Sequence, residues 1–220
     1  ISEEGVKFRS PHDGTPLNLT PERSIEIQNA LGADIMMVFD ECAPFPAKKE
    51  EVASAVARTT RWAKRCIDAH QRPDEQALFG IVQGGVHPDL REESAAALVP
   101  MDFPGYAIGG LSVGEGPEKM NTALESTCPL LPADKPRYLM GVGKPVDLVN
   151  GVIRGVDMFD CALPTRNARN GEVFLWPQRR LRLKHARFKD DHTPIHPLCD
   201  CLACGTGVKR SYLAHLLRCE

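Results

Sequence analysis

The stretch ALFGIVQ (77–83) sets six apolar or small residues in a row and ends them on an amide. It lacks the strict alternation of a half-solvated strand, so it reads as a parallel strand covered on both faces. Four more runs share that character: DIMMVF (34–39), GYAIGGL (105–111), RYLMGVG (137–143) and VDMFDCAL (156–163). Helical patterns separate them. Thr20-Pro21 supplies an N-cap and a proline at the first helical position, with closure at Gly32. A long amphipathic helix covers 49–71, and others begin at Pro88, Pro117 and Pro145.

Alternating strands and helices with right-handed crossovers give a parallel sheet, either open or closed. The strand ends decide between the two. Asp40, Gln83, Gly109-Gly110, Gly141 and Asp160 all stand at or beside the C-terminal ends of their runs. Polar residues or glycine at the mouth of every strand is the pattern of a (β/α)8 barrel, whose loops build the site there. A flavodoxin-like sheet gathers such residues mainly at one switch point. The expected fold class is therefore α/β, a partial (β/α)8 TIM barrel with about five βα units. Residues 1–171 are expected to hold it. From 172 to 220 the pattern changes to short strands (EVFLW, RLRLKHARF), a cysteine cluster and a helix near 207–218. That segment reads as a small zinc-binding subdomain.

Composition excludes some classes. Of 220 residues, 42% are hydrophobic and 25% charged, as in an ordinary soluble protein. No run approaches the roughly 18 apolar residues of a membrane helix. The polar opening ISEEGVKFRS is unlike a secretory leader, and starting on Ile1 suggests a processed or truncated N-terminus. Eight cysteines in a chain this long are too dilute for a disulfide scaffold, so a reducing cytoplasm is expected. The net charge of −2 hides an asymmetry: residues 161–189 carry eight Arg or Lys against Glu172 alone. Such a segment either grips a polyanion at one place or forms a solvated basic strand pair.

Several residues suit chemistry. Asp160 closes an apolar run, where a partly desolvated, rigid carboxylate can act as nucleophile or acid/base; it could equally cap a helix or pair with an arginine. Arg166 and Arg169 follow at i and i+3, placed to hold phosphates. Asp40 and Glu41 are adjacent acids, of which only one can face inward from a strand. An inward carboxylate can accept N–H bonds from a purine edge, bind a metal or cap a helix. The Gln83 amide suits a carbonyl such as purine O6, and the glycine-rich AIGGLSVGEG (107–116) lets backbone approach a flat ligand. Met140 suits packing on a planar ring or plain core packing. Cys199, Cys201 and Cys204 in CDCLAC (199–204) are three of the four ligands that structural zinc needs, with His215 or Cys219 as nearby candidates for the fourth.

The segments EEGVKFRSPHDG, FDECAPFPA, GGLSVGEG, RYLMGVGKP, MFDCALPTRNARNG and CDCLAC together resemble tRNA-guanine transglycosylase, over the whole chain. The resemblance implies exchange of guanine at the wobble position of GUN-anticodon tRNAs for a 7-deazaguanine. It implies Asp160 as nucleophile, Asp40 on the base's N1/N2 edge, and Gln83 with the Gly110 N–H on O6. Leu111 would meet the 7-substituent and Met140 stack on the base, with Cys42, Gly109 and Gly141 lining the site. Lys144 joins Arg166 and Arg169 as a tRNA-contacting expectation. Cys42 and Val113 favour the bacterial substrate preQ1. Structural Zn2+ on the three clustered cysteines, a possible homodimer and no membrane association are implied as well. The family's second catalytic aspartate would precede Ile1 and its histidine zinc ligand follow Glu220. A non-catalytic tRNA-binding relative or an inactive fragment are the alternatives.

Overall fold

A computed structural model describes residues 1–175 and 179–219, the Arg179 side chain excepted. Trp176, the last residue of the expected strand EVFLW, lies outside them. The chain divides into two compact units, Ile1–Asp160 and Cys161–Glu220.

The first unit opens with an antiparallel hairpin, β1 (Val6–Arg9) and β2 (Pro16–Leu19), in which Val6 faces Leu19. Helix α1 (Pro21–Leu31) starts as expected: the Thr20 hydroxyl accepts from the Arg23 N–H at 3.2 Å, and Pro21 takes the first helical position. It stops at Gly32, whose φ of 72° is the left-handed C-cap.

Four βα units and a fifth strand then follow in order: β3 (Ile35–Met37), α2 (Lys49–Ala69), β4 (Ala77–Val82), α3 (Pro88–Leu98), β5 (Tyr106–Ile108), α4 (Pro117–Thr127), β6 (Arg137–Leu139), α5 (Pro145–Ile153) and β7 (Met158–Phe159), with α6 (Leu163–Arg169) next in the chain but in the second unit. The strands form one sheet in the order β3-β4-β5-β6-β7, parallel at every pairing. Each crossover therefore steps in the same direction, without the reversal that creates the switch point of a doubly wound sheet. This is the arrangement of part of a (β/α) barrel. The strands are shorter than the apolar runs because pairing ends where the connecting loops depart.

Both faces of the sheet are covered. Met36, Leu78, Ile81, Ile108 and Leu139 are buried in one core with Ile25, Ala63, Leu98 and Leu124 from the helices. Helix α2 supplies its buried stripe at Val52, Val56, Thr59, Ala63 and Cys66, the spacing of one helical face. Two glycines interlock with two rings. A Cβ at Gly80 would lie 2.7 Å from the Phe103 ring, and one at Gly105 would lie 2.3 Å from the Phe79 ring. The missing side chains are what let β4 and the turn before β5 approach.

The second unit contains α6, the antiparallel pair β8 (Glu172–Leu175) and β9 (Arg179–Arg182), α7 (Leu202–Gly205) and α8 (Arg210–Cys219). Leu183, Phe188 and Ala214 form its core. The expected long strand over RLRLKHARF ends at Arg182, and Ala186–Phe188 turn into a short 3-10 helix. Helix α8 begins at Arg210 rather than 207, because Gly207 has a φ of 78° and Lys209 bridges to Pro194. Among the described residues, no helix is long and apolar enough to cross a membrane.

Candidate base-binding site and thiolate cluster

Parallel strands deliver their C-terminal ends to one rim, and the side chains of interest gather there. The adjacent acids lie beyond the end of β3 and take different partners. Glu41 pairs with Arg58, and its backbone N–H donates to Thr59 Oγ1 at 3.0 Å. Asp40 instead accepts from Gln83 Nε2 at 2.5 Å. Gln83 is buried, and its backbone N–H donates to Ser94 Oγ at 3.0 Å, which anchors the end of β4 on α3. Burial pushes the Asp40 carboxyl above the usual range, while the Gln83 amide pulls the other way. A desolvated acid tied to an amide presents a donor–acceptor edge, the feature needed to read a flat heterocycle.

The glycines of β5's exit loop press against that amide. A Cβ at Gly109 would meet Gln83 Nε2 at 2.6 Å, and one at Gly110 would meet Gln83 Oε1 at 2.6 Å. Gly110 also has a φ of 67°, in the left-handed region. Leu111 is buried beneath the loop. Beyond it, the Ser112 and Val113 N–H groups donate to the two oxygens of Glu115 at 2.5 and 2.9 Å, so the loop is closed by its own carboxylate. The Cys42 thiol is raised by burial and then by the Asp40 charge, with the Gly110 N–H acting on it in the opposite sense. A cleft bordered by Phe45, Val86, Gly110 and Val113 opens beside Gln83.

Asp160 ends β7 two strands away. Its Oδ1 accepts from the Tyr138 hydroxyl at 2.7 Å and from the Gly141 N–H at 2.8 Å. Helix α6 takes Ala162 as its N-cap residue, so Asp160 does not cap it. Burial, then the bond to Asp160, pushes the Tyr138 phenol up to about 12, which keeps it a donor at neutral pH. Met140 is partly buried against the core. Lys144 is exposed at the start of α5, and Arg166 and Arg169 are exposed in the last turn of α6 in the second unit. In that unit Glu172 accepts from Arg180 and Arg182 at 3.0 and 3.3 Å across the hairpin.

Three positions escaped the sequence reading. Tyr138 alternates with inward residues of β6, a signal that was available. Glu115 and Arg91 carry no comparable mark. Arg91, on α3, is fully buried, and its Nε donates to the Gly85 carbonyl at 2.7 Å and its Nη2 to the Gly109 carbonyl at 3.0 Å.

The thiolate cluster is local. The sulfurs of Cys199, Cys201 and Cys204 all lie within 4.8 Å of one another. Thiolates on a tetrahedral zinc at roughly 2.3 Å stand about 3.8 Å apart, so the three fit such an ion with little adjustment. The Cys204 N–H, then the Cys199 and Cys204 thiols, lower the Cys201 pKa, while that of Cys199 is raised. His215 lies 3.7 Å from Cys219 Sγ on α8, and neither belongs to the group of three.

Fold and site together define an α/β protein whose parallel sheet has the arrangement of part of a (β/α) barrel, with carboxylates and an amide at its strand ends and a cysteine cluster in its second unit. The chain belongs to the queuine tRNA-ribosyltransferase family, whose family model matches residues 1–220. Curated proteins named queuine tRNA-ribosyltransferase from Anoxybacillus flavithermus, Bacillus subtilis and Lysinibacillus sphaericus are 59%, 60% and 60% identical over 220 residues. Those matches take in 100% of this chain but 57–58% of each relative, so the chain spans just over half their length.

Proposed function

We propose that these residues form the base-exchange part of a tRNA-modifying glycosyltransferase. It replaces guanine at the wobble position of GUN-anticodon tRNAs with the 7-deazaguanine preQ1. The observation that carries this reading is the hydrogen-bonded Asp40–Gln83 pair on the rim that Asp160 also occupies, in a chain of this family.

The Asp40 carboxylate accepts from the base's N1 and exocyclic amine, and the Gln83 amide and Gly110 N–H donate to O6. The Leu111 carbonyl meets the 7-substituent, Met140 stacks on the ring, and Cys42, Gly109 and Gly141 line the space. The target nucleotide leaves its stack to enter. Asp160 then attacks ribose C1′ as the C1′–N9 bond breaks, and the electron pair departs on the purine, where the O6 donors spread its charge. The expelled guanine anion takes a proton from solvent and leaves; the incoming base gives its N9 proton to solvent, attacks C1′ and releases the Asp160 carboxylate, the two-step logic of a retaining glycosidase. Tyr138 and the Gly141 N–H hold Asp160 in line for both steps. Arg166, Arg169 and Lys144 neutralise tRNA phosphates.

Structural Zn2+ on Cys199, Cys201 and Cys204 would brace the segment after β9 in a small tRNA-contacting subdomain, and the protein works in the cytoplasm as a homodimer. Labelled-guanine exchange into tRNA tests the reading in the intact polypeptide. Asp160→Asn is expected to abolish exchange while guanine binding persists, and undiminished turnover would remove Asp160 from its role.

A further inference from the structure

We propose that Arg91 is a positioning residue that aims the Gly110 N–H into the base site, an inference that rests on the base-exchange reading above. A trans peptide carries its carbonyl oxygen and its amide hydrogen on opposite sides of one plane. Arg91 Nη2 holds the Gly109 oxygen at 3.0 Å within the protein. The Gly109–Gly110 plane is thereby set, and its N–H is turned away from Arg91, to the side on which it acts on the Cys42 thiol. Glycine on both sides of that bond offers no side chain to hold the plane, so an external anchor is needed. The second bond, Nε to the Gly85 carbonyl at 2.7 Å, fastens the same guanidinium to the loop leaving β4. One planar fork thus ties the exit loops of β4 and β5 to each other, which a lysine ammonium with its point charge does not reproduce.

The cost of burying Arg91 supports a directed role. The side chain is fully buried, and its Nη1 has no hydrogen-bond partner among the described residues. A buried unsatisfied donor is destabilising, and an apolar residue of similar volume would fill the space more favourably. Glu115, the acid whose charge acts most on Arg91, spends its oxygens on the Ser112 and Val113 N–H groups. Arg91 is therefore committed to the two carbonyls. The fit is close: a Cβ on Gly84 would lie 2.7 Å from Arg91 Cγ.

The test compares two bases that differ at the position Gly110 reads. Guanine has the O6 acceptor; 2-aminopurine lacks it, and lacks the N1–H as well, so each base is compared with itself between parent and variant. In the intact polypeptide, Arg91→Lys keeps the charge and Arg91→Met keeps the bulk. Both are expected to weaken guanine roughly tenfold or more, the equivalent of one lost hydrogen bond. Binding of 2-aminopurine, the KM for tRNA and cooperative melting should stay within about twofold or a few degrees. Equal weakening of both bases, retained guanine preference, or loss of folding in both variants would overturn the proposal. Failure of the unmutated protein to prefer guanine over 2-aminopurine would instead overturn the base-exchange reading on which it rests.

Discussion

The Tyr138 hydroxyl donates to Asp160 Oδ1 at 2.7 Å, joining the middle of β6 to the residue that closes β7. The Gly141 N–H reaches the same oxygen, so two donors from one βα unit orient a carboxylate supplied by the next. Hydrogen bonds to an ionised group contribute about 1.5–3 kcal/mol. Tyr138→Phe is therefore expected to lower kcat for guanine exchange roughly ten- to hundredfold, with the KM for the free base unchanged. An unaltered kcat in single-turnover exchange would remove Tyr138 from the support of Asp160.

Asp40 gives opposite pH responses in stability and in binding. Burial raises its native pKa above that of the unfolded chain. Its contribution to stability is therefore most favourable below the ordinary carboxylate pKa and declines as pH rises through the native value. Base reading needs the ionised form and strengthens in the same direction. Asp40→Asn should consequently gain melting temperature relative to the parent as pH goes from about 4 to 7, while its deficit in guanine binding widens over the same range. Calorimetric melting and equilibrium binding over that range check both halves.

Gly109, in the β5 exit loop, has no room for a side chain. Gly109→Ala would put its Cβ 2.6 Å from Gln83 Nε2 and 2.7 Å from Ile81 Cγ2. Displacing Gln83 would also release Asp40, its hydrogen-bond partner. A loss of about 1–3 kcal/mol in stability is expected, with guanine affinity falling together with it. Denaturant unfolding and base binding on the same variant test the link; a destabilised variant with full affinity would break it.

In the thiolate cluster, Cys201→Ser is expected to remove most bound zinc, measured by atomic emission on purified protein, and to lower the melting of residues 161–220. His215→Ala should leave zinc content unchanged, because His215 faces Cys219 on α8 rather than the triad. Zinc lost with His215→Ala would make it a ligand.

Much of this was legible in the residues, and the gaps have physical causes. ALFGIVQ and its companions announce their strands because burial on both faces removes polar alternation. Pro21, Pro88, Pro117 and Pro145 all begin helices, since a proline ring suits the first helical position and little else in a helix. Spacing alone did not choose between Asp40 and Glu41, because the choice depends on Arg58 lying across on α2; the family resemblance did. Arg91 was missed because a buried arginine is recognised only by the carbonyls around it, which come from two other loops. The β1–β2 hairpin was missed too: Phe8 and Leu17 pair across it while both remain exposed, so no buried face marks the strands.

The glycine–ring pairs at β4 and β5 bear on how the chain tolerates change. Gly80 faces the ring of Phe103, and Gly105 faces the ring of Phe79. Enlarging either glycine alone forces a clash, and shrinking either ring alone leaves a void. Compensated double replacements, a larger residue at Gly80 with a smaller one at Phe103, should recover much of what each single change loses, a coupling of about 0.5–3 kcal/mol. The sheet's spacing is thus inherited in pairs: neither partner is free to drift without the other, even though neither touches the chemistry on the rim.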